Sequence, residues 1–430
     1  MGCNGRPARV MLGDTFRDAV VVGAGVAGSV AAAMLAQRGW RVLLVEKSSW
    51  PREKVCGGCL TANAASLLRQ LGIEAPLRSA QPIHSLFWHA GRRSLGIPVP
   101  GEVAMLRADL DAAMVSEAMR RGCEFLPGAS ATLLRASARD SYRILKLQTG
   151  EGTQIIRAGI VLACDGIGGT LLAGESWAKW RIAPDSWIGV AATCQSSPWP
   201  IPPGEIHMHL GNAGYVGMVG MNGKLHLAAS LDPAACRNAG GPARLVRDIL
   251  ASSWQAIVPE WHLPRLHGTG ALTRRRPSLG GNRVLAVGDA CGYVEPFTGE
   301  GMAWAVIGAR EAVNLLPAPG QPWPAEMPHR WRRRHFQIVA RTQRWCRGMR
   351  PILRHPEIAP LVIAVGNAMP AIGNWIAKRI SQPSSRHCLT EFHHDTTGDS
   401  RFPQGTTQIR DETTGHRNGH SAEWDAGSGA

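Results

Sequence analysis

Three glycines, Gly23, Gly25 and Gly28, fall at Gly-x-Gly-x-x-Gly spacing between an apolar run and an alanine-rich stretch. That pattern suits a phosphate cradle. The first glycine allows a tight bend out of a strand, the second lets backbone approach a pyrophosphate, and the third lets helix and strand pack closely, while the helix N-terminus adds partial positive charge. Glu46 stands 18 residues after Gly28, closing the next apolar run, and Lys47 adjoins it. An acid there accepts from the hydroxyls of an adenosine ribose. The plainer reading, a glycine-rich turn at a helix start, leaves Glu46 unexplained. A second constellation lies far along the chain, where Arg283-Val-Leu-Ala-Val-Gly288-Asp289 ends a buried-strand pattern on a carboxylate suited to sugar-alcohol hydroxyls. Pro296 to Gly301 then opens a helix whose free amides and dipole favour negative charge. Thr298 as a simple helix cap accounts for itself but not for Gly288-Asp289.

Two other groups invite chemistry. Cys56-Gly57-Gly58-Cys59 spells CxxC. No second pair stands at metal-ligand spacing, so a structural role outweighs dithiol or metal chemistry, although a helix starting near Leu60 would lower a thiol pKa. His207 and His209 alternate along one strand and share a face, but no third ligand accompanies them, and no metal is expected.

Periodicity supplies the elements that must position these residues. Residues 18–22 and 41–46 read as buried strands, separated by a helix over 26–38 that Gly39 ends. Helices follow over 60–71 and 108–120, with strand-like pieces near 83–89. Segments near 131–135, 143–148 and 154–157 read as an antiparallel hairpin set ahead of a buried strand at 160–163. Further strands between 187 and 230 form a separate substrate sheet. The buried pattern returns at 283–288, and a small-residue helix over 299–316 is stopped by Pro317.

Composition bounds the rest. The chain has 430 residues, 44% apolar, long enough for one large or two ordinary domains. Its formal charge of +15 favours an acidic partner or anionic surface, but no zinc-finger or aromatic-basic module is present and the densest basic run, residues 331–335, is short, so nucleic acid is not expected. Ten scattered cysteines show no framework spacing and the N-terminus has no apolar signal region, so a cytoplasmic protein is expected. Residues 358–377 lack formal charge, yet two prolines, two glycines and two asparagines make them a poor membrane span. A helical cap over the site is the preferred reading; peripheral contact with a membrane, helped by flanking arginines, is the sharper one.

Three segments bear a family likeness: Arg107-Ala-Asp-Leu-Asp111, Leu162-Ala-Cys-Asp165-Gly166, and the run from Arg283 through Gly288-Asp289 to Gly299-Glu-Gly301-Met302. The sequence resembles the para-hydroxybenzoate hydroxylase-like flavoprotein superfamily over about 18–316. The resemblance implies FAD, with Asp289 on the ribityl chain, Gly299, Gly301 and Met302 beside the flavin ring, and Arg107 and Asp165 among the cofactor residues. Pro51 to Leu60 looks most like the geranylgeranyl reductase branch, in which Cys56, Gly57 and Gly58 would line the flavin ring. The expected fold is α/β: a discontinuous Rossmann-like FAD-binding domain (18–82, 105–180, 268–317), an inserted antiparallel β-sheet substrate domain (83–104, 181–267), a C-terminal helical region (318–383), an irregular start (1–17) and a disordered tail (384–430). The expected activity is FAD-dependent oxidation-reduction of an apolar or carrier-bound prenyl, polyketide or aromatic substrate, the flavin being reduced by NAD(P)H. An aromatic monooxygenase is the alternative, with a non-enzymatic lipid escort and a halogenase behind it; the halogenase signature WxWxIP is absent. The Asp165-Gly166 motif continues Ile-Gly-Gly-Thr-Leu rather than with Ser and Arg, which leaves the reductant open.

Overall fold

The computed structural model describes residues 16–135, 137, 140–195, 201–253, 263–295, 297, 299–355 and 358–369. The expected irregular start up to 15, the tail from 384, Pro296 and Thr298 lie outside the described residues.

Two eight-stranded sheets carry the architecture. In the first, Phe16–Val22 pairs in parallel with Val42–Val45 on one side and with Gly152–Ala163 on the other. Glu124–Leu126 and Val284–Ala286 extend the parallel set outward on the two flanks. Strands buried on both faces are uniformly apolar rather than alternating, as Val20-Val-Val22 and Val42-Leu-Leu-Val45 are. The crossover helix Val26–Gln37 buries eleven of its twelve residues, which its alanines permit by leaving room for neighbours on every side. It packs against helices Arg107–Arg120 and Gly301–Leu315.

One sequence expectation changes here. Residues 154–157 and 160–163 are not two strands but parts of one twelve-residue strand, Gly152–Ala163, whose first part pairs antiparallel with Arg143–Thr149 and whose remainder runs parallel to Phe16–Val22. Gly159, which reads as a break in the sequence, marks a close approach instead: a Cβ there would lie 2.8 Å from the Asp18 carbonyl oxygen.

The second sheet runs in the order His267–Ala271, Ile188–Cys194, Lys224–Leu231, Gly214–Met221, Glu205–Gly211, Gln81–Ala90, Arg93–Ala104, Cys59–Leu60. It departs from the expected substrate domain in two ways. Glu205–Gly211 pairs in parallel with Gln81–Ala90, so the sheet is not wholly antiparallel. The strands His267–Ala271 and Cys59–Leu60, expected in the dinucleotide domain, form its two edges. Both are short, and His267-Gly-Thr-Gly-Ala has no apolar alternation to announce it.

The C-terminal helices close over both sheets. Trp331, in helix Met327–His335, is fully buried and its Nε1 donates to the Ala286 carbonyl at 2.8 Å. Arg350 and Arg354 of helix Arg341–Arg354 bind the Asp185 carboxylate at 2.6 and 2.8 Å. Helix Ile358–Ala368 lays Ala359 and Ile363 into a core with Ile83, Leu86 and Trp88. Its outer face leaves Leu361, Val365 and Met369 exposed. Among the described residues, no helix is long and apolar enough to cross a membrane.

Candidate active site

The glycine turn divides into positions that the fold demands and one that it does not. Gly23 has φ +105, and a Cβ on it would sit 2.4 Å from the Cys164 carbonyl oxygen. A Cβ on Gly28 would sit 1.8 Å from the Gly23 carbonyl oxygen, which no relaxation absorbs. Gly25, by contrast, has φ −81, and its Cβ would meet only Arg52 Nη2 at 3.5 Å, Arg107 Nη2 at 3.6 Å and Lys54 Nζ at 3.7 Å. Three cationic groups therefore converge on a bare stretch of backbone at a helix N-terminus.

Local structure holds each cation in place. Arg107 begins helix Arg107–Arg120 and forks onto Asp111, one turn on, through contacts of 3.1, 2.9 and 2.9 Å. Arg52 bridges Asp111 at 3.3 Å and Glu46 at 3.1 Å. Burial weakens the Arg107 cation, but Asp111 and Cys56 outweigh it and hold the guanidinium charged. Lys54 lies 3.9 Å from Asp289, yet burial and the neighbouring Arg107 push its pKa down. A lysine so placed gains from any further negative charge, which is what a diphosphate brings.

Glu46 closes strand Val42–Val45 and accepts from the amides of Ala24 and Ser48, both at 3.0 Å. Burial pushes its pKa up, and Arg52 and the two amides more than reverse this, so the carboxylate is ionised. With Lys47 it lines a cavity of about 220 Å³ on the outer side of the glycine turn. Asp165 lies in the wall of this smaller cavity, where its carboxylate accepts from the Leu171 amide at 2.9 Å. A Cβ on Gly169 would fall 2.1 Å from the Asp165 carboxyl carbon, which explains the glycine that follows the motif. The structure thus places Asp165 under its own loop and apart from Asp289.

A larger cavity of about 240 Å³ opens on the other side of the turn and reaches the second sheet. Gly288 (φ +65) lets the strand end pass the first helix: a Cβ there would be 2.6 Å from the Ala27 Cβ. Asp289, Gly299, Gly301 and Met302 all line this cavity beside Gly25, so residues distant in sequence meet at one wall. From the second sheet Leu86, Val190, Ile206, Met208, Met218 and Val219 give the cavity an apolar lining, and Gly189, Gly217 and Ala228 leave it room.

Cys56, Gly57 and Cys59 also line the larger cavity. Gly58 turns the segment with φ +73, its Cβ position 2.8 Å from the Met105 carbonyl oxygen. His226 Nε2 donates to the Cys56 carbonyl at 2.6 Å, which fixes the segment to the second sheet. Both cysteines are free thiols. The alternative of a thiol activated by a helix near Leu60 finds no support: the helix starts at Ala62, and burial together with Glu102 pushes the Cys59 thiol far up. His207 and His209 stack with His89 instead of facing the cavity, and burial lowers His89 to about 4. Four residues that sequence reasoning left without a role join the site: Arg52, Lys54, Tyr293 and Glu102. The two cations were visible as a basic loop after the first strand–helix–strand unit; Glu102 had no such signal.

Residues 17–319 match the family described as FAD binding domain. The chain belongs to that family. It is 27% identical over 350 residues to menaquinone reductase of Mycolicibacterium smegmatis, covering 76% of this chain and 84% of that protein. Among solved structures, a flavoprotein/dehydrogenase from Cytophaga hutchinsonii superposes with a TM-score of 0.71 at 17% identity, covering 85% of this chain and 92% of the other. The flavin-dependent brominase Bmp2 superposes with a TM-score of 0.67 at 16% identity over 85% and 94%. These likenesses establish an FAD-dependent oxidoreductase with a Rossmann-like FAD-binding domain. FAD fits the residues present: the bare backbone of Gly25 beneath three cations suits the diphosphate, and Asp289 with the Gly301 helix start lies where a single ligand spanning both cavities would pass.

Proposed function

We propose that this protein is a two-electron reductase of an apolar lipid of the polyprenyl-quinone class. The observation that carries the reading is that one cavity is lined both by the apolar residues Leu86, Val190, Ile206, Met208, Met218 and Val219 of the second sheet and by Gly25, Asp289, Gly301 and Met302; the similarity to a menaquinone reductase over most of both chains supports it. FAD, when bound, supplies hydride chemistry. The protein's part is to hold, orient and shield. Arg52, Lys54 and Arg107 would hold the diphosphate at Gly25, Glu46 and Lys47 the adenosine side, Asp289 would accept from the sugar-alcohol chain, and the amides of Gly301 and Met302 would favour negative charge on the ring. Cys56 and Gly57, which line the same cavity, would lie beside the ring, and the Pro51 to Leu60 likeness favours a place near the geranylgeranyl reductase branch.

The electron donor in this reading is NAD(P)H, and a cytoplasmic face of a membrane is the site of action, since the substrate dissolves there. Exposed Leu361, Val365 and Met369 support peripheral contact. The test is anaerobic: NADPH or NADH should bleach the flavin band, and a polyprenyl naphthoquinone should then gain two hydrogens by mass. A product that gains one oxygen in air would replace this reading with the aromatic monooxygenase. A colourless protein that binds no added FAD would leave only a lipid escort.

A further inference from the structure

Strand Arg93–Ala104 alternates as a half-buried strand should, with Leu95, Ile97 and Val99 turned inward. The alternation then slips. Pro100 and Gly101 both face outward, Gly101 with φ +81, and Glu102 takes an inward position that an unbroken strand would give to its neighbour. The pairing with Gln81–Ala90 shifts at the same place, from Ser85 opposite Pro98 to Ile83 opposite Glu102. Such a bulge re-aims a side chain. Here it sends a carboxyl into the wall of the larger cavity, where the residue is 6% exposed and Oε1 has no hydrogen-bond partner.

Ionising groups face it from two other elements. Glu300, 2% exposed, caps the helix that begins at Gly301 in the flavin-facing motif, and the Cys59 thiol lies on the adjoining edge strand. Burial first, and the Glu300 charge second, push Glu102 up to about 8. A buried acid in the wall of the larger cavity, beside a second buried carboxyl, is held in its neutral form, and its fully buried Oε1 has no hydrogen-bond partner among the described residues.

We propose that Glu102 is the proton donor that completes reduction of the bound substrate. The inference rests on the reductase reading above. One carbon of the substrate double bond takes a hydride from a reductant of the dihydroflavin class while the adjacent carbon uses the π electron pair to take the proton from the Glu102 carboxyl, so that no free carbanion is formed. One reducing equivalent pair is consumed, two C–H bonds form, and Glu102 is left as a carboxylate beside Glu300. That repulsion drives Glu102 to recover a proton from water when product leaves.

The test uses the full chain loaded with FAD and a polyprenyl naphthoquinone as probe. Glu102→Gln keeps shape and hydrogen bonding but carries no transferable proton. It should retain full flavin content and lose on the order of 10²–10⁴ in kcat, with KM within a few-fold of wild type. The wild-type rate should fall on the alkaline side near pH 8, and this limb should vanish in E102Q and move to lower pH in E300Q. A readout independent of turnover is the infrared band of a protonated carboxyl in the apoprotein, present at pH 6, titrating near 8 and lost in E102Q. Turnover by E102Q at the wild-type rate with the alkaline limb intact overturns the proposal, as does the absence of that band from wild type at pH 6. The two readings fail differently. If the lipid reading is wrong, wild type and E102Q both leave the probe unreduced, and the infrared band still decides for or against Glu102.

Discussion

The sharpest consequence of the glycine turn is that Gly25 and Gly28, three residues apart, fail for opposite reasons. Gly25→Val places its Cβ where the nearest atoms are the mobile ends of Arg52, Lys54 and Arg107 at 3.5 to 3.7 Å, at an ordinary φ of −81. The apoprotein should therefore fold and melt as wild type does. FAD binding should collapse, because the branched side chain fills the space in which a diphosphate meets the helix amides. Losing two charge-assisted hydrogen bonds at about 1.5–3 kcal/mol each weakens binding by roughly 10²–10⁴-fold. Gly28→Ala puts a Cβ 1.8 Å from the Gly23 carbonyl oxygen, so helix Val26–Gln37 must lift from the sheet. Overpacking of that kind costs about 1–3 kcal/mol or more, and fold and flavin should fail together. Flavin absorbance per protein, fluorescence titration with added FAD, and thermal melting of the two apoproteins separate the cases. Full flavin content in the Gly25→Val protein, or an apoprotein melting as low as that of Gly28→Ala, would refute the division of roles.

Three further outcomes are expected. Asp289→Ala should leave the apoprotein melting unchanged and weaken FAD by about 10- to 100-fold, the worth of one hydrogen bond to a charged group; unchanged affinity by titration would mean that the carboxylate does not reach the cofactor. Glu102 is raised from an ordinary carboxyl value to about 8 on folding, so its contribution is favourable below the unfolded value and is lost as pH rises through about 8. Glu102→Gln should accordingly gain thermal stability over wild type between pH 5 and 9 and not below pH 4, and a pH-independent difference in melting would contradict this. Cys59, pushed far above the ordinary thiol range, should resist iodoacetamide at pH 7 in the folded apoprotein, and stoichiometric labelling there by mass would show that the thiol is activated after all.

The sequence carries these features unequally, and the inequality has physical causes. The first strand–helix–strand unit was legible because each residue there answers to local rules: β-branched apolar runs for doubly buried strands, alanines for a buried helix, Gly39 at φ +79 for its end. The convergence of Gly25 with Asp289 and Gly301 was legible only as two separate motifs, since the parallel pairing that joins their strands is a long-range property. Pairing of Glu205–Gly211 with Gln81–Ala90, more than a hundred residues apart, had no local mark at all. Glu102 was hidden for a subtler reason. Simple alternation from Leu95 assigns it to solvent, and only the shifted pairing at Pro100 and Gly101 reverses its face.

The segment from Arg52 to Leu60 ties the glycine turn of the first sheet to the second sheet. At its start, Arg52 and Lys54 reach the glycine turn of the first sheet; in its middle, the Cys56 carbonyl accepts from His226 of the second sheet; at its end, Cys59 and Leu60 pair with Ala104 and Val103, next to Glu102. Gly58 cannot carry a side chain, because its φ of +73 and the Met105 carbonyl at 2.8 Å fix the bend between these anchors. One nine-residue segment thus serves both sites, which is a physical reason for CxxC-like spacing here that needs no dithiol: the small residues serve the bend and the wall, and Cys59 fills a half-buried position where burial pushes its thiol pKa up.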